Sequence, residues 1–291
     1  MQSAVIMKSK ILNTVALIVS KTEEGAKLQD FLVKKLGLSR RAAKQLLDDK
    51  SVWVNRRCIW MTHHEVHKGD TIEVPALHTA KKQESVKLKV LVDYADFLII
   101  DKPSGMVVVG KVSVESKLQE QLGNANLRVV HRLDKETTGC LLCAKSARSF
   151  DAAVAVFKTR RVIKIYQAIV YGKFERNTAL LDQELDGARA VSQVRRMACS
   201  KDASFLKIRI ETGRTHQIRR HLAAVRHPVL GDKQYGVKFA RDPRLVTVAR
   251  TMLHSSEIEL TNPLGSTGTI KAHSPLPADF RRCLKLFDMG R

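Results

Sequence analysis

The first clear hydrophobic rhythm in the chain runs through Leu28, Phe31, Leu32 and Leu36, the spacing of a helix with one buried face. Gly37 ends that helix. Ser39 is placed to cap a second one, whose buried face is Ala42, Ala43, Leu46 and Leu47. Val52-Trp53-Val54-Asn55 reads as a short strand entering a turn, and His67-Lys68-Gly69-Asp70-Thr71-Ile72-Glu73-Val74 as a further turn and strand. These elements form one small unit over 25–74. Before it, the apolar stretch at 11–20 reads as a strand or a loose leader, and residues 1–24 carry no assignment. After it, 75–89 is polar, charged and aperiodic, and reads as a linker.

From Val90 to the C-terminus strands alternate with short helices and turns, which makes 90–291 the second domain. Phe97-Leu98-Ile99-Ile100 leads into Lys102-Pro103-Ser104-Gly105, an apolar strand ending in a turn. Cys140-Leu141-Leu142-Cys143-Ala144 is an unbroken apolar run and reads as a buried strand. The segment 164–172 alternates, with Tyr166 and Ala168 on one face and Ile165 and Ile169 on the other. Pattern alone supports mixed helix and strand content. No repeat with a period of about 20–50 residues is visible.

Length and charge narrow the class. A chain of 291 residues has room for a large domain and a small one. Lys and Arg number 51 against 29 Asp and Glu, a formal charge of +22. A globular protein this basic repels itself at neutral pH, and the usual compensation is a polyanionic partner. Nucleic acid fits best. An anionic membrane is disfavoured, because no polybasic amphipathic helix stands out and the apolar runs are far shorter than the ~20 residues of a span. Five scattered cysteines point to a reduced, cytoplasmic protein. Cys140 and Cys143 form a CxxC, but residues three apart on a strand face opposite ways and no second pair completes a zinc site, so no metal is expected.

The candidate chemistry centres on His131-Arg132-Leu133-Asp134-Lys135-Glu136-Thr137-Thr138-Gly139, which sets one carboxylate among bases at the mouth of the 140–144 strand. Two readings suit such an aspartate: a turn cap or ion pair with Arg132, or a carboxylate held and aimed for chemistry.

The string resembles the signature of the RluA-type family of RNA pseudouridine synthases, His-Arg-Leu-Asp followed by Thr-Ser-Gly and an apolar strand, with Thr138 here in place of the serine. Further blocks occur in the family's order: Lys102-Pro103-Ser104-Gly105, Lys164-Ile165-Tyr166, Gly213-Arg214-Thr215-His216-Gln217-Ile218-Arg219, Gly231-Asp232 with Tyr235-Gly236, and Arg250-Thr251-Met252-Leu253-His254. The resemblance implies that Asp134 is the catalytic residue. It implies that Tyr166 stacks on the target base and serves the final proton transfer, and that Arg214 pairs with the aspartate. Arg132 and Arg219 are read as substrate-binding, Leu253 as lining the base pocket, and His254 as structural. Thr215 is placed to cap the helix that follows.

The 25–74 unit is similar to the RNA-binding domain named after small-subunit ribosomal protein S-four. It departs from that pattern at Arg56 and Ser51, where glycines are usual. The similarity implies that Arg40, Arg41 and Lys44 contact phosphate rather than forming only a solvated basic face.

The fold implied is α+β, with a mixed, mostly antiparallel, bent sheet in the catalytic domain preceded by the small α/β RNA-binding domain. Uridine and pseudouridine are isomers, so no cofactor is expected, and the chain shows no Walker loop, GxGxxG or HExxH. The partner implied is structured RNA, ribosomal RNA of the large subunit before transfer RNA, bound by a monomer in the cytoplasm. A non-catalytic RNA-binding or ribosome-assembly protein is the alternative. A methyltransferase would need a glycine-rich cofactor loop, and a glycosidase a second catalytic carboxylate; neither is found.

Overall fold

The computed structural model describes residues 14–75, 87–159, 161–237, 242–265 and 268–290. Contacts divide the chain into two compact units, Met1–Val86 and Lys87–Arg291.

The small unit has strands β1 (Thr14–Ile18), β2 (Trp53–Val54), β3 (Arg57–Cys58) and β4 (Thr71–Pro75), in the antiparallel order β1-β4-β2-β3. Helices α1 (Leu28–Leu36) and α2 (Arg40–Asp48) follow the sequence pattern. Gly37 ends α1 in the left-handed conformation, and the Ser39 hydroxyl accepts from the Ala42 amide to cap α2. Phe31, Leu32, Leu36, Ala43, Leu46 and Leu47 pack with Val54, Ile72 and Val74 into one core.

Within the apolar stretch before the helices, Thr14–Ile18 is a strand. Val15 and Leu17 pair with Val74 and Ile72, so the unit begins well before Gly25. Residues 1–13, which the sequence left unassigned, lie outside the described residues. So do 76–86, most of the expected linker. At its far end Leu88 is already buried in the large unit's core, and its backbone is held by both ends of the Gln121 amide.

The glycine substitutions have a backbone consequence. Asn55 and Arg56 both take positive φ, 48° and 65°, in the two-residue turn joining β2 to β3. Asn55 is anchored by Asp70 and by the Thr71 amide, whereas Arg56 is simply exposed. At the other departure it is Lys50, not Ser51, that takes the left-handed position, with φ 53°.

The large unit is built on one mixed sheet. Its strands are β5 (Lys89–Asp93), β6 (Phe97–Lys102), β7 (Arg128–Val129), β8 (Thr138–Ala144), β9 (Ile163–Tyr171), β10 (Thr178–Leu181), β11 (Ser192–Cys199), β12 (Ala203–Ile210), β13 (Leu253–Thr261) and β14 (Thr269–His273). The order is β10-β11-β12-β9-β13-β8-β6-β5, with β14 beside β13 and β7 beside β8. Every pairing is antiparallel except β13 with β8, where His254 and Ser255 lie opposite Thr138 and Gly139. The helices are α3 (Val114–Leu122), α4 (Ala147–Lys158), α5 (Gln217–Ala224) and α6 (Ala278–Leu286).

Strand β8 is covered on both faces, which is why it reads as continuous apolar sequence. Leu141 and Cys143 face the core that includes α3, α5 and α6; Cys140 and Leu142 face the core that includes α4. The two cysteines of the CxxC therefore point to opposite sides of the sheet. Among the described residues no helix is long and apolar enough to cross a membrane.

The parallel contact between β8 and β13 positions the site. Ser255 sits opposite both Gly139 and Tyr166. The loop that carries Asp134 is thereby brought to the strand that carries Tyr166. Gly139 permits the approach: its φ is 107°, and a Cβ there would fall 2.1 Å from the Ser255 carbonyl oxygen. Next to it the Thr138 hydroxyl meets His254 Nδ1 at 2.9 Å, while His254 Nε2 meets the Ser274 carbonyl at 3.0 Å. A carbonyl only accepts, so Nε2 carries the proton and Thr138 donates to Nδ1. His254 is a structural histidine, and the threonine in place of the family's serine keeps this hydroxyl in use.

Candidate active site

Asp134 lies on the loop between β7 and β8, and this loop is held along its whole length. At its start the His131 Nε2 accepts the Leu142 amide proton at 3.1 Å, doing what a ladder carbonyl would do, and the ring stacks on Phe157. Burial pushes this imidazole down to about 3, so it is neutral, as an acceptor must be. Past Asp134, the buried Lys102 donates to three carbonyls: Pro103 at 3.0 Å, Lys135 at 3.0 Å and Thr137 at 2.9 Å. Burial lowers this ammonium to about 8, with the charge of Asp134 pulling the other way. The Gly105 amide also donates to Lys135, and Ser104 to Glu136. The Glu136 carboxylate accepts from the Thr251 amide at 3.1 Å. Lys102 and the turn after it, read from the sequence as a strand ending in a turn and as one of the family's blocks, clamp the Asp134 loop.

The Asp134 carboxylate is held from the side of α5. Arg219 Nη1 donates to its Oδ2 at 3.0 Å, and His216 Nε2 stands 3.7 Å from its Oδ1. Arg219 is itself fixed by Asp232, through Nε at 2.6 Å and Nη2 at 2.9 Å. Burial by itself favours a neutral Asp232, but Arg219 and the amides of Tyr235 and Gln234 outweigh it and hold this carboxyl below the usual range. His216 Nδ1 meets the Tyr235 hydroxyl at 3.1 Å, and burial holds the His216 imidazole below its ordinary value, against the opposing charge of Asp134.

The expected pairing of Asp134 with Arg214 is therefore corrected to Arg219. Gln217 accepts from the Arg214 amide and the Thr212 hydroxyl, folding 212–217 back on itself, and His216 takes a left-handed φ of 53°. This turn precedes the helix. Arg214 lies before it and donates to the Arg189 carbonyl at 3.2 Å; Arg219, in the first turn of α5, faces Asp134. The helix N-cap is His216 rather than Thr215, and it makes no side-chain cap bond. Arg220 is engaged elsewhere, in a two-pronged pair with Asp186.

Around Asp134 is a groove of about 640 Å³, bordered by Arg132, Leu133, Lys135, His216, Arg219 and Thr251. A smaller recess of about 70 Å³ continues from it toward Tyr166, Leu253, Arg214 and Ile210. Tyr166 and Leu253 are buried and Arg132 is exposed at the mouth. Burial raises the Tyr166 phenol above its ordinary range, Asp134 adds to this, and the Ser255 hydroxyl pulls the other way. A third hollow, about 400 Å³, adjoins Tyr166 and is lined by Arg132, Lys158, Lys164 and Arg214. Burial lowers Lys164 to about 8. Thus one carboxylate lies at the end of a cationic groove beside an aromatic ring.

Comparison with known proteins agrees with this geometry. Residues 96–224 match the RNA pseudouridylate synthase family. The chain is 31% identical over 311 residues to the ribosomal large subunit pseudouridine synthase D of Nitrosomonas europaea, covering 94% of this chain and 88% of that one. It is 31% identical over 285 residues to the protein of the same name from Buchnera aphidicola subsp. Baizongia pistaciae, covering 86% and 89%. The chain belongs to the RNA pseudouridylate synthase family. It is an isomerase that converts uridine to pseudouridine in RNA. Among solved structures, human RNA pseudouridylate synthase domain containing 4 shares the fold at a TM-score of 0.58 and 22% identity, over 69% of this chain and 93% of that one.

In this synthase, then, Asp134, Tyr166, Leu253, Arg132 and Arg219 come together at one site, and Arg214 lines its edge. Arg40, Arg41 and Lys44 lie exposed on α2 of the other unit, with Arg40 paired to Asp30 at 2.9 Å. Three contributors carried no role in the sequence reading: Lys102, Asp232 and His216. Each lies within a motif that was legible, but its partner is 13 or more positions away in sequence and is met only in the fold. Thr137 is a fourth. Its hydroxyl is buried beside Asp134 and has no hydrogen-bond partner among the described residues.

Proposed function

We propose that this synthase modifies large-subunit ribosomal RNA, with Asp134 as the catalytic residue. The observation that carries the reading is the Asp134–Arg219–Asp232 chain at the end of a basic groove, with Tyr166 and Leu253 beside it. Arg132, at the mouth, and Arg214, at the edge, take the RNA backbone, and the target uridine turns out of the RNA into the recess. The bond from uracil N1 to C1′ breaks, the ring turns, and C5 bonds to C1′. The proton on C5 leaves and N1 gains one, so atoms and charge balance. Asp134 acts on the sugar, by attack at C1′ or by taking a sugar proton. Arg219 fixes the rotamer that aims it.

Tyr166 supplies a flat ring for the uracil, and Leu253 packs on the base from the β13 side. Because burial keeps the phenol protonated at neutral pH, Tyr166 receives the C5 proton only as it gives up its own, and the Ser255 hydroxyl is the side chain that hydrogen-bonds it.

The small unit is an S-four-like RNA-binding domain in this reading, tethered through the segment around 75–89. Arg40, Arg41 and Lys44, on the outer face of α2, bind phosphate and steer the enzyme to its rRNA target. The relatives named for large-subunit ribosomal RNA favour that substrate over transfer RNA. A monomer acting in the cytoplasm suits a charge of +22 and buried, unpaired cysteines such as Cys140 and Cys143.

The test is a pseudouridine map of total RNA from cells with and without this gene, rescued by wild type or Asp134→Asn. Loss of specific sites in large-subunit ribosomal RNA, restored by wild type alone, is the expected result. Sites in transfer RNA would redirect the substrate assignment, and rescue by Asp134→Asn would remove Asp134 from the mechanism.

A further inference from the structure

At the rim of the catalytic groove the chain exposes apolar side chains that the chemistry described above does not use. Val107, Val109 and Val112 are 43, 63 and 71% exposed. They lie on one loop, between the Lys102 turn and α3. This loop is tied down at both ends. The Val114 amide donates to the Val107 carbonyl at 2.9 Å and the Glu115 amide to Val108 at 3.1 Å, while the Val108 and Val114 side chains are buried in the core below. At its foot the Gly105 amide holds the Lys135 carbonyl of the catalytic loop. At its tip Gly110 takes a φ of 136°, open to glycine and rarely to other residues.

A single exposed valine calls for no explanation. Three on one anchored loop, two of them lining the groove that holds Asp134, exceed scattered surface valines, and exposed apolar clusters mark contacts. The contact is placed by continuity, because Val107 and Val109 line the same groove as Asp134 and Arg132. Charge points to the occupant: Lys111 on the tip, with Arg132 and Lys135 across the groove, suits a polyanion better than a protein or a lipid tail.

The target uridine has to leave its stack, since Asp134 is recessed, with its side chain only 19% exposed, and Tyr166 is buried. A departing base leaves an apolar gap between its neighbours, and apolar side chains are what proteins insert into opened base steps. We propose that the tip from Val109 to Val112 is a wedge that enters the RNA base stack where the target uridine leaves, with Lys111 on the adjoining phosphate. The inference rests on the synthase reading of the Asp134 site and adds to it how a stacked uridine is admitted. Valine makes no hydrogen bonds to base edges, so the wedge acts on stacking and is indifferent to sequence. Its contribution therefore grows with how firmly the uridine is stacked.

The test uses the full-length enzyme and two RNAs that carry the uridine identified by the map with the same flanking bases. In one the uridine is stacked in a hairpin stem; in the other the strand is unpaired. Single-turnover rates are compared for wild type, Val109→Ser/Val112→Ser and Val109→Ile/Val112→Ile. The expected result is that the serine pair lowers the ratio of stem rate to single-strand rate by about tenfold or more, and that the isoleucine pair keeps it. The unpaired RNA also reports folding, because a misfolded variant loses both rates together and leaves the ratio unchanged. In that case 2-aminopurine placed beside the uridine decides: its fluorescence rises on binding Asp134→Asn enzyme with the valines in place and stays low with serines there. An unchanged ratio in folded enzyme, or an equal fluorescence rise with serines, would overturn the wedge while leaving the synthase reading intact. Wild type inactive on both RNAs would overturn the synthase reading, and the wedge with it.

Discussion

Arg219 reaches Asp134 with one nitrogen, at 3.0 Å, and commits its other two to Asp232. The guanidinium is thus a spacer between the groove carboxylate of Asp134 and a buried anchoring one. Lysine keeps the charge but has no fork. Arg219→Lys is expected to lower kcat by about 100-fold, the scale of a misaimed catalytic group, with a smaller change in RNA affinity. Arg219→Ala goes further, because it leaves Asp232 buried without a partner; a loss of about 3–5 kcal/mol in urea unfolding is expected. Wild-type turnover in Arg219→Lys would show that Asp134 is aimed by something else.

Gly139 and Ser255 touch where β8 meets β13. With a φ of 107° and a Cβ position 2.1 Å from the Ser255 oxygen, alanine has neither the conformation nor the space. Gly139→Ala is expected to destabilise the large unit by about 3 kcal/mol or more and to lower turnover through the displaced Thr138 and Asp134 loop. Thermal unfolding checks it, and a melting temperature equal to that of wild type would refute the close approach.

Arg56 offers the opposite sign. It holds a φ of 65° in a two-residue turn where glycine carries no strain. Arg56→Gly is expected to stabilise the small unit by about 1 kcal/mol, less a small entropic loss in the unfolded chain. The cost appears in function if the exposed guanidinium meets RNA: affinity should fall and the salt dependence of binding become shallower. Unfolding of the full chain and RNA titration at two salt concentrations separate the two effects.

The alkaline side of the pH profile follows from Lys102. Burial brings both Lys102 and Lys164 down to about 8, below the ordinary lysine value, so each is a cation below that pH and neutral above it. Neutral Lys102 has two N–H bonds for the three carbonyls of Pro103, Lys135 and Thr137, and the Asp134 loop slackens. Turnover is expected to fall as pH rises through about 8. Lys164→Gln removes the second lysine, and the kcat limb should survive in it. A kcat flat from about pH 7 to pH 9 in wild type would remove Lys102 from the control of the loop.

Local sequence determined a good deal here. The two small helices, their Gly37 stop and Ser39 cap, the doubly buried β8 strand and the Asp134 string were all legible, because helix periodicity, caps and catalytic strings are written in consecutive residues. Tertiary structure decided the partners. Arg214 and Arg219 stand five apart in one string, and only the left-handed turn at His216 determines which of them faces Asp134. Val15 and Leu17 lie in a stretch that read as either a strand or a loose leader, because the strand they pair with begins more than fifty residues later. The Lys102 block read as a strand and turn with no role for the lysine itself, because the carbonyls it binds belong to a loop brought alongside by the pairing of β6 with β8. In each case the deciding interaction joins groups distant in sequence, and hydrogen-bond geometry and burial exist for them only once the sheet has formed.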